Sequence, residues 1–297
     1  MIRKLISSIA PLDAAAMEQC QTRLDNLAKP LGSLHALEHL ALKMAGITGR
    51  PRPENLKKAI LLTVDGDAAD SFAPETTAVI FARHAGAEII PVPVTAATKI
   101  CPESETGTGL PPDLMRALQA GIQAAQRQTE AGIEVLGLGE AGTSSREAAQ
   151  IIVNAYAESE TYPNPWELLR RTQSRPIAAL TGVILAGAAG RTAVVLDGTV
   201  TLAAARLAAA IAPLCREYLV GSHFTTENQQ RQVLQQLDMP AYLHLDLPAG
   251  GGRGSALGMR LIKASLHVLN DMKTFGEAEV AVAQDGPGAL KQRQDIR

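Results

Sequence analysis

The sequence predicts an α/β fold in which a parallel, Rossmann-like sheet is covered by helices on both faces. Short segments such as 58–64 and 192–196 are apolar throughout, which is typical of strands buried on both sides. They alternate along the chain with longer segments of helical spacing, among them 145–158 and 199–212. Strands separated by helices are joined by crossover connections, so we expect them to run parallel.

The same pattern predicts two domains. Every predicted strand falls within 51–254, which we expect to form a large α/β domain. The segments 1–50 and 255–297 carry helical spacing and are expected to form a smaller helical domain. In the first of these segments, Ser33 is predicted to cap a helix that Gly46 ends.

Charge and composition exclude several classes of function. The formal net charge of −2 and the 3% of aromatic residues make a nucleic acid an unexpected partner, because binding phosphates requires clustered basic side chains. The longest apolar stretch, 176–190, is too short to span a bilayer, so no membrane contact is expected. The three cysteines lie far apart and lack metal-ligand spacing, which favours a reduced, cytoplasmic protein with no metal or cofactor.

Two glycine-rich segments are candidates for binding an anion. The segment 137–142 has the pattern GxGxxG between a predicted strand and a helix, where exposed amides suit a phosphate. A tight turn without a ligand is an equally good interpretation. The segment 247–256 opens the last helix, and Arg253 is placed to face an anion there, although a flexible connector explains the glycines as well.

Polar residues at other strand ends favour structural roles. Ser222 and His223 are neighbours whose side chains are expected not to face one another, so they do not predict a catalytic triad, and His223 is interpreted as a structural hydrogen-bonding residue. Asp65 and Asp67 follow the first strand and suit a cation, but a capping or turn role is favoured.

Six segments follow one another along the chain in a characteristic order: 24–41, 137–142, 180–188, 195–198, 218–224 and 250–254. Together they resemble one family, the nicotinate-nucleotide:dimethylbenzimidazole phosphoribosyltransferases, over a region from about Pro11 to Phe275. It implies transfer of phosphoribose from nicotinate mononucleotide to an aromatic lower-ligand base of cobamides. Such a reaction needs a phosphate cradle, a base pocket and a carboxylate that takes the proton of the base.

The chain departs from the family at the catalytic carboxylate. The family places this glutamate in a Gly-Glu-Gly-[Ser/Thr]-Gly loop, and here Gly251 stands at that position between Gly250 and Gly252. Glycine accepts no proton, so no catalytic residue is expected in this chain. Asp246 lies five residues upstream and would reach the site only in a rearranged loop.

Three further departures concern the substrate. The turn after the first strand lacks a loop that lines the base pocket, and a basic phosphate loop before Pro163 is largely deleted. Ser145, Arg146 and Glu147 replace the Asn-Thr-Thr that holds phosphate. The resemblance leaves a degenerate substrate-binding set that comprises Glu140, Gly142, Arg146, Ser222, Gly250 and Gly252.

These losses predict a subunit rather than an independent enzyme. The chain is most similar in character to the non-catalytic subunit of a heterodimeric phosphoribosyltransferase that activates phenol and p-cresol. A paralogous catalytic subunit is the expected partner and would bind nicotinate mononucleotide and a benzimidazole or phenolic base. The alternatives are an active phosphoribosyltransferase with a relocated base, and a nucleotide-sensing module or dinucleotide enzyme that uses the 137–142 segment.

Overall fold

The computed structural model describes residues 2–65, 72–94, 107–158, 163–224, 233–245, 247 and 250–279. The chain divides into two compact units. The larger comprises Met1–Pro11 and Lys57–Met259, and the smaller comprises Leu12–Leu56 and Arg260–Arg297. The domain boundaries predicted from the sequence, at residues 50 and 255, concern independently folding parts of the chain, and they remain a prediction.

The elements follow one another from α1 to α10. The helices are α1 (Ile2–Ser7), α2 (Ala14–Asn26), α3 (Ala36–Thr48), α4 (Thr77–Ala85), α5 (Pro112–Glu130), α6 (Arg146–Glu158), α7 (Pro165–Thr172), α8 (Arg175–Ala189), α9 (Gly198–Ile211) and α10 (Arg253–Asp271). The strands are β1 (Lys58–Val64), β2 (Glu88–Pro93), β3 (Val135–Ala141), β4 (Ala193–Val195), β5 (Leu219–Val220), β6 (His223–Phe224) and β7 (Leu243–His244).

A five-stranded sheet forms the centre of the larger unit. Its order is β2-β1-β3-β4-β5, and all four pairs are parallel, which confirms the predicted fold class. The strand order reverses between β1 and β3, and in open α/β sheets ligands bind outside the carboxyl ends of the strands at such a switch point. The topology therefore directs attention to the residues that follow β1 and β3.

Helices cover both faces of this sheet. Leu136 and Gly137 are neighbours in β3, so they point to opposite faces. Leu136 lies on the side of α8, 3.6 Å from where a Cβ atom on Gly187 would be, whereas Gly137 faces the start of α10 at Ser255. Because both faces are buried, the strands are apolar throughout rather than alternating.

Helices α5 and α8 cross at two glycines. A Cβ atom added at Gly121 would clash with the carbonyl oxygen of Ala179, and one added at Gly182 would clash with that of Leu118. Only glycine lets the two helix backbones come this close, and neither glycine has the positive φ that would otherwise explain it. The small-residue character of these segments is therefore a packing requirement.

Strand β2 forms an edge of the sheet within the described part of the chain. Val94 donates its backbone N–H to Val64, so Pro91 and Pro93, at the alternate positions, direct their nitrogens away from β1. Proline has no N–H to lose there, which explains why two prolines are tolerated in a strand. The edge consequently offers fewer donors to another strand.

The smaller unit shows that the predicted limits of its second helix are wrong. Helix α3 begins at Ala36 rather than after Ser33, and it continues through Gly46 to Thr48. Gly46 lies inside the helix, where the lack of a side chain permits close contact with α2. A Cβ atom at this position would come within 2.6 Å of the Met17 sulfur. Gly49, with φ +68°, ends the helix instead.

A buried ion pair fixes the loop before α3. The Lys29 Nζ atom lies 2.8 Å from the Glu38 Oε1 atom, which also accepts the backbone N–H of Leu34 at 3.0 Å. Both charged side chains are nearly fully buried. The Glu38 carboxylate thus pairs with the Lys29 ammonium group and accepts a hydrogen bond from one of the backbone amides that precede the helix.

Other elements differ from the sequence-based prediction at their ends. The sequence does not predict α1, and it predicts a loop over 161–166, whereas α7 begins at Pro165 because Asn164 caps it. The sequence predicts a helix over 181–190, whereas α8 begins six residues earlier, at Arg175, because Ser174 accepts the backbone N–H of Ile177. Cys20 and Cys215 are buried free thiols as expected, while Cys101 lies outside the described residues. Among the helices described, none has the length and apolarity needed to cross a membrane.

Candidate functional site

The carboxyl edge of the sheet gathers the polar residues of the larger unit. Asp65 follows β1, Glu140 lies near the end of β3, and Asp197 comes two residues after β4. Ser222 and His223 follow β5. Parallel strands end at one edge, so residues far apart in sequence become neighbours there.

The Glu140 carboxylate accepts hydrogen bonds from nearby residues of its own chain. Glu140 is buried, and its Oε1 atom accepts the Ser144 hydroxyl and the Ser145 backbone N–H, both at 3.1 Å. Ser145 immediately precedes α6, so the carboxylate lies at the amino-terminal end of this helix and stabilises its dipole. An external anion at these donors would have to displace Glu140 or share them with a negative charge.

Two helix starts are tied together beside Glu140. The Ser174 hydroxyl, which caps α8, donates to the Ser145 hydroxyl at 2.9 Å, and both side chains are buried. Arg175, the first residue of α8, pairs with Asp65 at 2.8 Å. Asp65 therefore has a guanidinium partner, and Asp67 lies outside the described residues.

The interpretation of 137–142 as a turn is wrong for its first two glycines. Gly137 and Gly139 lie inside β3, and only Gly142, with φ +116°, is in the turn. A Cβ atom on Gly139 would lie 2.5 Å from the Gly252 nitrogen, and one on Gly137 would lie 2.8 Å from the Ser255 Cβ atom. The two glycines let the loop before α10 approach the strand, and they do not form a phosphate cradle.

The glycine loop, residues 250–252, lies against the ends of β1 and β3. Its φ angles are +107°, +77° and +76° for Gly250, Gly251 and Gly252. Gly251 donates its N–H to the Glu140 carbonyl oxygen at 3.2 Å, and a Cβ atom on Gly252 would come within 2.8 Å of Ile60. The loop brings backbone, and no ionisable side chain, to the edge of the sheet. Asp246, the alternative base, lies outside the described residues.

Position 251 has space for a Cβ atom within the described part of the chain. Among the described residues, such an atom would meet only the Arg253 Nε atom, at 3.9 Å. The backbone conformation nonetheless disfavours any L-residue, because φ is +77°. The absence of a carboxylate at this position is therefore not a consequence of crowding.

Asp197 anchors the glycine loop. Its carboxyl group is buried, and its Oδ1 atom accepts the Gly254 N–H at 3.1 Å. The backbone N–H groups of Gly252 and Arg253 also point to this carboxyl group. Burial raises the pKa of Asp197 to about 7 in spite of these donors. Its Oδ2 atom has no hydrogen-bond partner within the described part of the chain.

Asp197 is a site residue that sequence reasoning missed. The available signal was an aspartate immediately after an apolar strand and immediately before a glycine. Three loop amides converge on it from a segment about fifty residues away, and no local pattern reveals that contact.

The expectation that Ser222 and His223 do not face each other is wrong. The Ser222 Oγ atom lies 3.0 Å from the His223 Nδ1 atom and donates its own proton to the Leu196 carbonyl oxygen at 2.7 Å. The imidazole Nδ1 is then the donor to Ser222, which leaves the hydroxyl without a base to activate it. Burial lowers the pKa of His223, and Arg253 lowers it further. The two side chains form a buried hydrogen-bonded pair beside Asp197, and the His223 Nε2 atom lies 3.9 Å from the Asp197 Oδ1 atom.

The structure brings together only part of the predicted substrate-binding set. Glu140, Gly250 and Gly252 meet at the end of β3, while Ser222 adjoins Asp197 through His223. Gly142 is exposed, as is Arg146 at the start of α6. Among the residues described, no group of three or more His, Cys, Asp or Glu side chains is arranged to hold a metal ion.

Comparisons with known proteins identify the family of this chain. Residues 9–70, 68–162 and 152–280 match a family model described as Phosphoribosyltransferase. The chain is 30% identical to the nicotinate-nucleotide–dimethylbenzimidazole phosphoribosyltransferase of Chloroflexus aggregans, over 95% of this chain and 98% of that protein. The chain belongs to the nicotinate-nucleotide–dimethylbenzimidazole phosphoribosyltransferase family.

A second relative and a solved structure, both similar to this chain, carry the name of the same phosphoribosyltransferase. The protein of the same name from Ruminiclostridium cellulolyticum is 31% identical over 93% of this chain and 96% of its own length. A crystal structure of a nicotinate-nucleotide–dimethylbenzimidazole phosphoribosyltransferase from Thermus thermophilus superimposes with a TM-score of 0.77 at 25% identity, covering 91% of this chain and 99% of that one. The predicted family is thereby confirmed.

The alignments also show that this family member is shortened. The match to the Chloroflexus aggregans protein extends over 346 positions, although the chain has only 297 residues. Relatives therefore possess segments that this chain lacks. The sequence predicts two such deletions, both next to substrate, and their positions remain a prediction.

Proposed function

We propose that the chain is the catalytically degenerate subunit of a heterodimeric phosphoribosyltransferase that activates a benzimidazole or phenolic lower-ligand base of cobamides. Its partner is a paralogue with an intact catalytic glutamate, which binds nicotinate mononucleotide and the aromatic base. The chain supports the active site of that partner. We place the heterodimer in the cytoplasm, which the free thiols of Cys20 and Cys215 support.

The glycine loop is the observation that carries the proposal. The reaction needs a group that takes a proton from the attacking base, and such a group typically contributes about 10²–10⁴-fold in rate. Residues 250–252 are all glycine, with Gly251 at the position of the family glutamate. Among the described residues, position 251 has space for a Cβ atom, so the lack of a side chain there is not required by packing. The loop therefore lies against the sheet without the carboxylate that would take the proton.

The Glu140 carboxylate supports the proposal independently. It accepts the Ser145 amide and the Ser144 hydroxyl at the start of α6, the segment where the family holds the substrate phosphate. A phosphate at these donors would meet the negative charge of Glu140 within a buried site, where charge repulsion is weakly screened. The donors at the start of α6 are therefore already satisfied by Glu140 in this chain.

Association with a paralogue tests the proposal. We would co-express the chain with a family member that retains the Gly-Glu-Gly loop, purify through a tag on this chain only, and assay conversion of nicotinate mononucleotide with dimethylbenzimidazole and with p-cresol. We expect a stable complex whose activity disappears when the glutamate of the partner is changed to glutamine. Recovery of this chain alone, without its partner, would contradict a heterodimer.

Asp197 favours a second candidate function, an active enzyme with a relocated base. Its pKa of about 7 matches that of an efficient general base near neutral pH. Against this role, the carboxyl group is only 2% exposed and is turned toward the amides of the glycine loop. If the purified chain were active alone and Asp197→Asn abolished that activity, this second function would replace the first.

A further inference from the structure

A cavity of about 270 Å³ lies within the smaller unit. Two arginines, two amide side chains and the segment after α10 form its walls. The residues that matter for its chemistry are Gln19, Arg23, Asn26, Arg52, Thr274 and Gly276.

Both arginines are held in place by the end of α10. Arg23 donates from Nε to the Leu269 carbonyl oxygen at 2.8 Å and from Nη2 to that of Met272 at 3.2 Å. Arg52 donates from Nε and Nη2 to the side-chain and backbone oxygens of Asn270, at 3.1 and 3.2 Å. Fixed guanidinium groups lose little conformational entropy when a ligand binds, so the site is preorganised.

Donors remain available among the residues that line the cavity. Within the described residues, the Nη1 group of Arg52 and the backbone N–H of Gly276 have no hydrogen-bond partner. The Thr274 hydroxyl accepts the N–H of Glu277 at 3.2 Å, so its own proton is available. The cavity therefore presents a guanidinium, a hydroxyl and an amide donor together.

One acidic group adjoins this cluster. The Glu277 Oε1 atom lies 3.5 Å from the Arg23 Nη1 atom, and the Glu277 side chain is half exposed. Its Oε2 atom accepts the Thr274 N–H at 2.7 Å, so the carboxylate serves mainly to fix the turn. Two guanidinium groups against one carboxylate leave an excess of positive charge.

We infer that this cavity binds a small oxyanion, a phosphate or a carboxylate, between Arg23 and Arg52. A planar guanidinium fork matches the oxygens of either group, and the neighbouring hydroxyl and amide complete its coordination. The site lies in the smaller unit and does not depend on the proposed subunit role. It adds an anion-binding function to a chain whose phosphate position at the sheet edge is occupied by Glu140.

Calorimetric titration of the full-length chain with inorganic phosphate and with sodium acetate tests this site. Ionic strength is held constant with sodium chloride, and the two anions separate a phosphate site from a carboxylate site. We expect saturable binding of at least one anion, and about 10-fold weaker binding in Arg52→Gln because one charged donor is lost. Arg83→Gln removes the same charge from an exposed position on α4 and should leave binding unchanged.

The opposite change gives a second test that does not depend on the integrity of α10. Glu277→Gln keeps an oxygen acceptor for Thr274 and removes the competing negative charge, so anion affinity should rise. The inference is overturned if neither anion binds above the chloride background, or if Arg52→Gln and Glu277→Gln both bind as the unmodified chain does.

Discussion

The crossing of α5 and α8 and the carboxyl edge of the sheet both depend on glycine, but in opposite ways. At the crossing, Gly121 and Gly182 are surrounded so closely that no side chain fits. At the edge, only the Arg253 Nε atom among the described residues lies within 4 Å of a Cβ atom placed on Gly251, which still carries no side chain. Under the proposed function, the requirements of the scaffold have been retained while a requirement of the chemistry has been lost.

The largest expected effect comes from breaking the crossing. Gly121→Ala places a Cβ atom against the carbonyl oxygen of Ala179, and the two helices must separate to accommodate it. We expect the free energy of unfolding in urea to fall by about 4 kcal/mol or more, at the upper end of overpacking effects. Gly276→Ala is the control, since nothing lies within 4 Å of its added Cβ atom. Equal losses in both variants would show that the crossing is not tightly constrained.

A smaller effect is expected at Asp197 and depends on pH. The pKa of Asp197 in the folded chain, about 7, is above its ordinary value of 3.8, so the folded state binds this proton more tightly than the unfolded state. Its stabilising contribution is complete below about pH 4 and is lost as the pH rises to about 7. Since one pKa unit is worth about 1.4 kcal/mol, we expect a loss of about 2–4 kcal/mol across this window.

Asp197→Asn isolates that contribution. The amide retains an oxygen for the Gly254 N–H and does not ionise. Chemical unfolding at pH 4.5 and pH 7.5 should show that the variant gains stability relative to the unmodified chain as the pH rises. A difference between the two proteins that is the same at both pH values would contradict the raised pKa.

Glu140 offers a still smaller test at the start of α6. Glu140→Gln keeps an acceptor for Ser145 but removes the charge, so we expect a loss of about 0.5–1 kcal/mol from the weaker interaction with the helix dipole. Glu140→Ala should lose more because the cap itself is removed. Thermal unfolding measures both.

The same two variants test whether Glu140 excludes phosphate. If the carboxylate occupies the anion position, calorimetry should show tighter binding of nicotinate mononucleotide in both variants than in the unmodified chain. Unchanged binding would mean that the missing neighbouring segments, rather than Glu140, prevent the substrate phosphate from binding.

The fold was predictable from the sequence because its signals are local. The apolar run in β1 and the helical spacing of α6 depend only on neighbours in the chain, and the observed elements match them closely. The ends of α3 and α8 were not predictable in this way because Gly46 and Ser174 act through tertiary contacts and capping. The family resemblance predicts that Gly251 stands at the position of the family glutamate, and this remains a prediction.

The interior of the site was not predictable from local signals either. The bond between Ser174 and Ser145 joins residues 29 positions apart, and the contact of Asp197 with Gly254 joins residues 57 positions apart. Gly137 and Gly139 matched a phosphate-binding pattern, yet their function is to admit the glycine loop. Residue type and spacing alone do not distinguish these roles.

The smallest expected effect on activity is that of placing a glutamate at position 251. The Cβ atom of Gly251→Glu meets only Arg253 among the described residues, and the positive φ should cost about 1–2 kcal/mol of stability. We expect no phosphoribosyl transfer from this variant alone, because the phosphate position and neighbouring segments are still missing. If this variant alone transferred phosphoribose, a single substitution would be sufficient to explain the inactivity of the unmodified chain.

Phosphoribosyl transfer by the purified chain alone tests the central claim most directly. Release of nicotinate from nicotinate mononucleotide would be followed with dimethylbenzimidazole and, separately, with p-cresol as acceptor, after mass spectrometry has excluded copurified relatives. We predict no release above the rate without protein, and activity only when the paralogue with the intact loop is added. Sustained turnover by the chain alone would show that it is an enzyme in its own right.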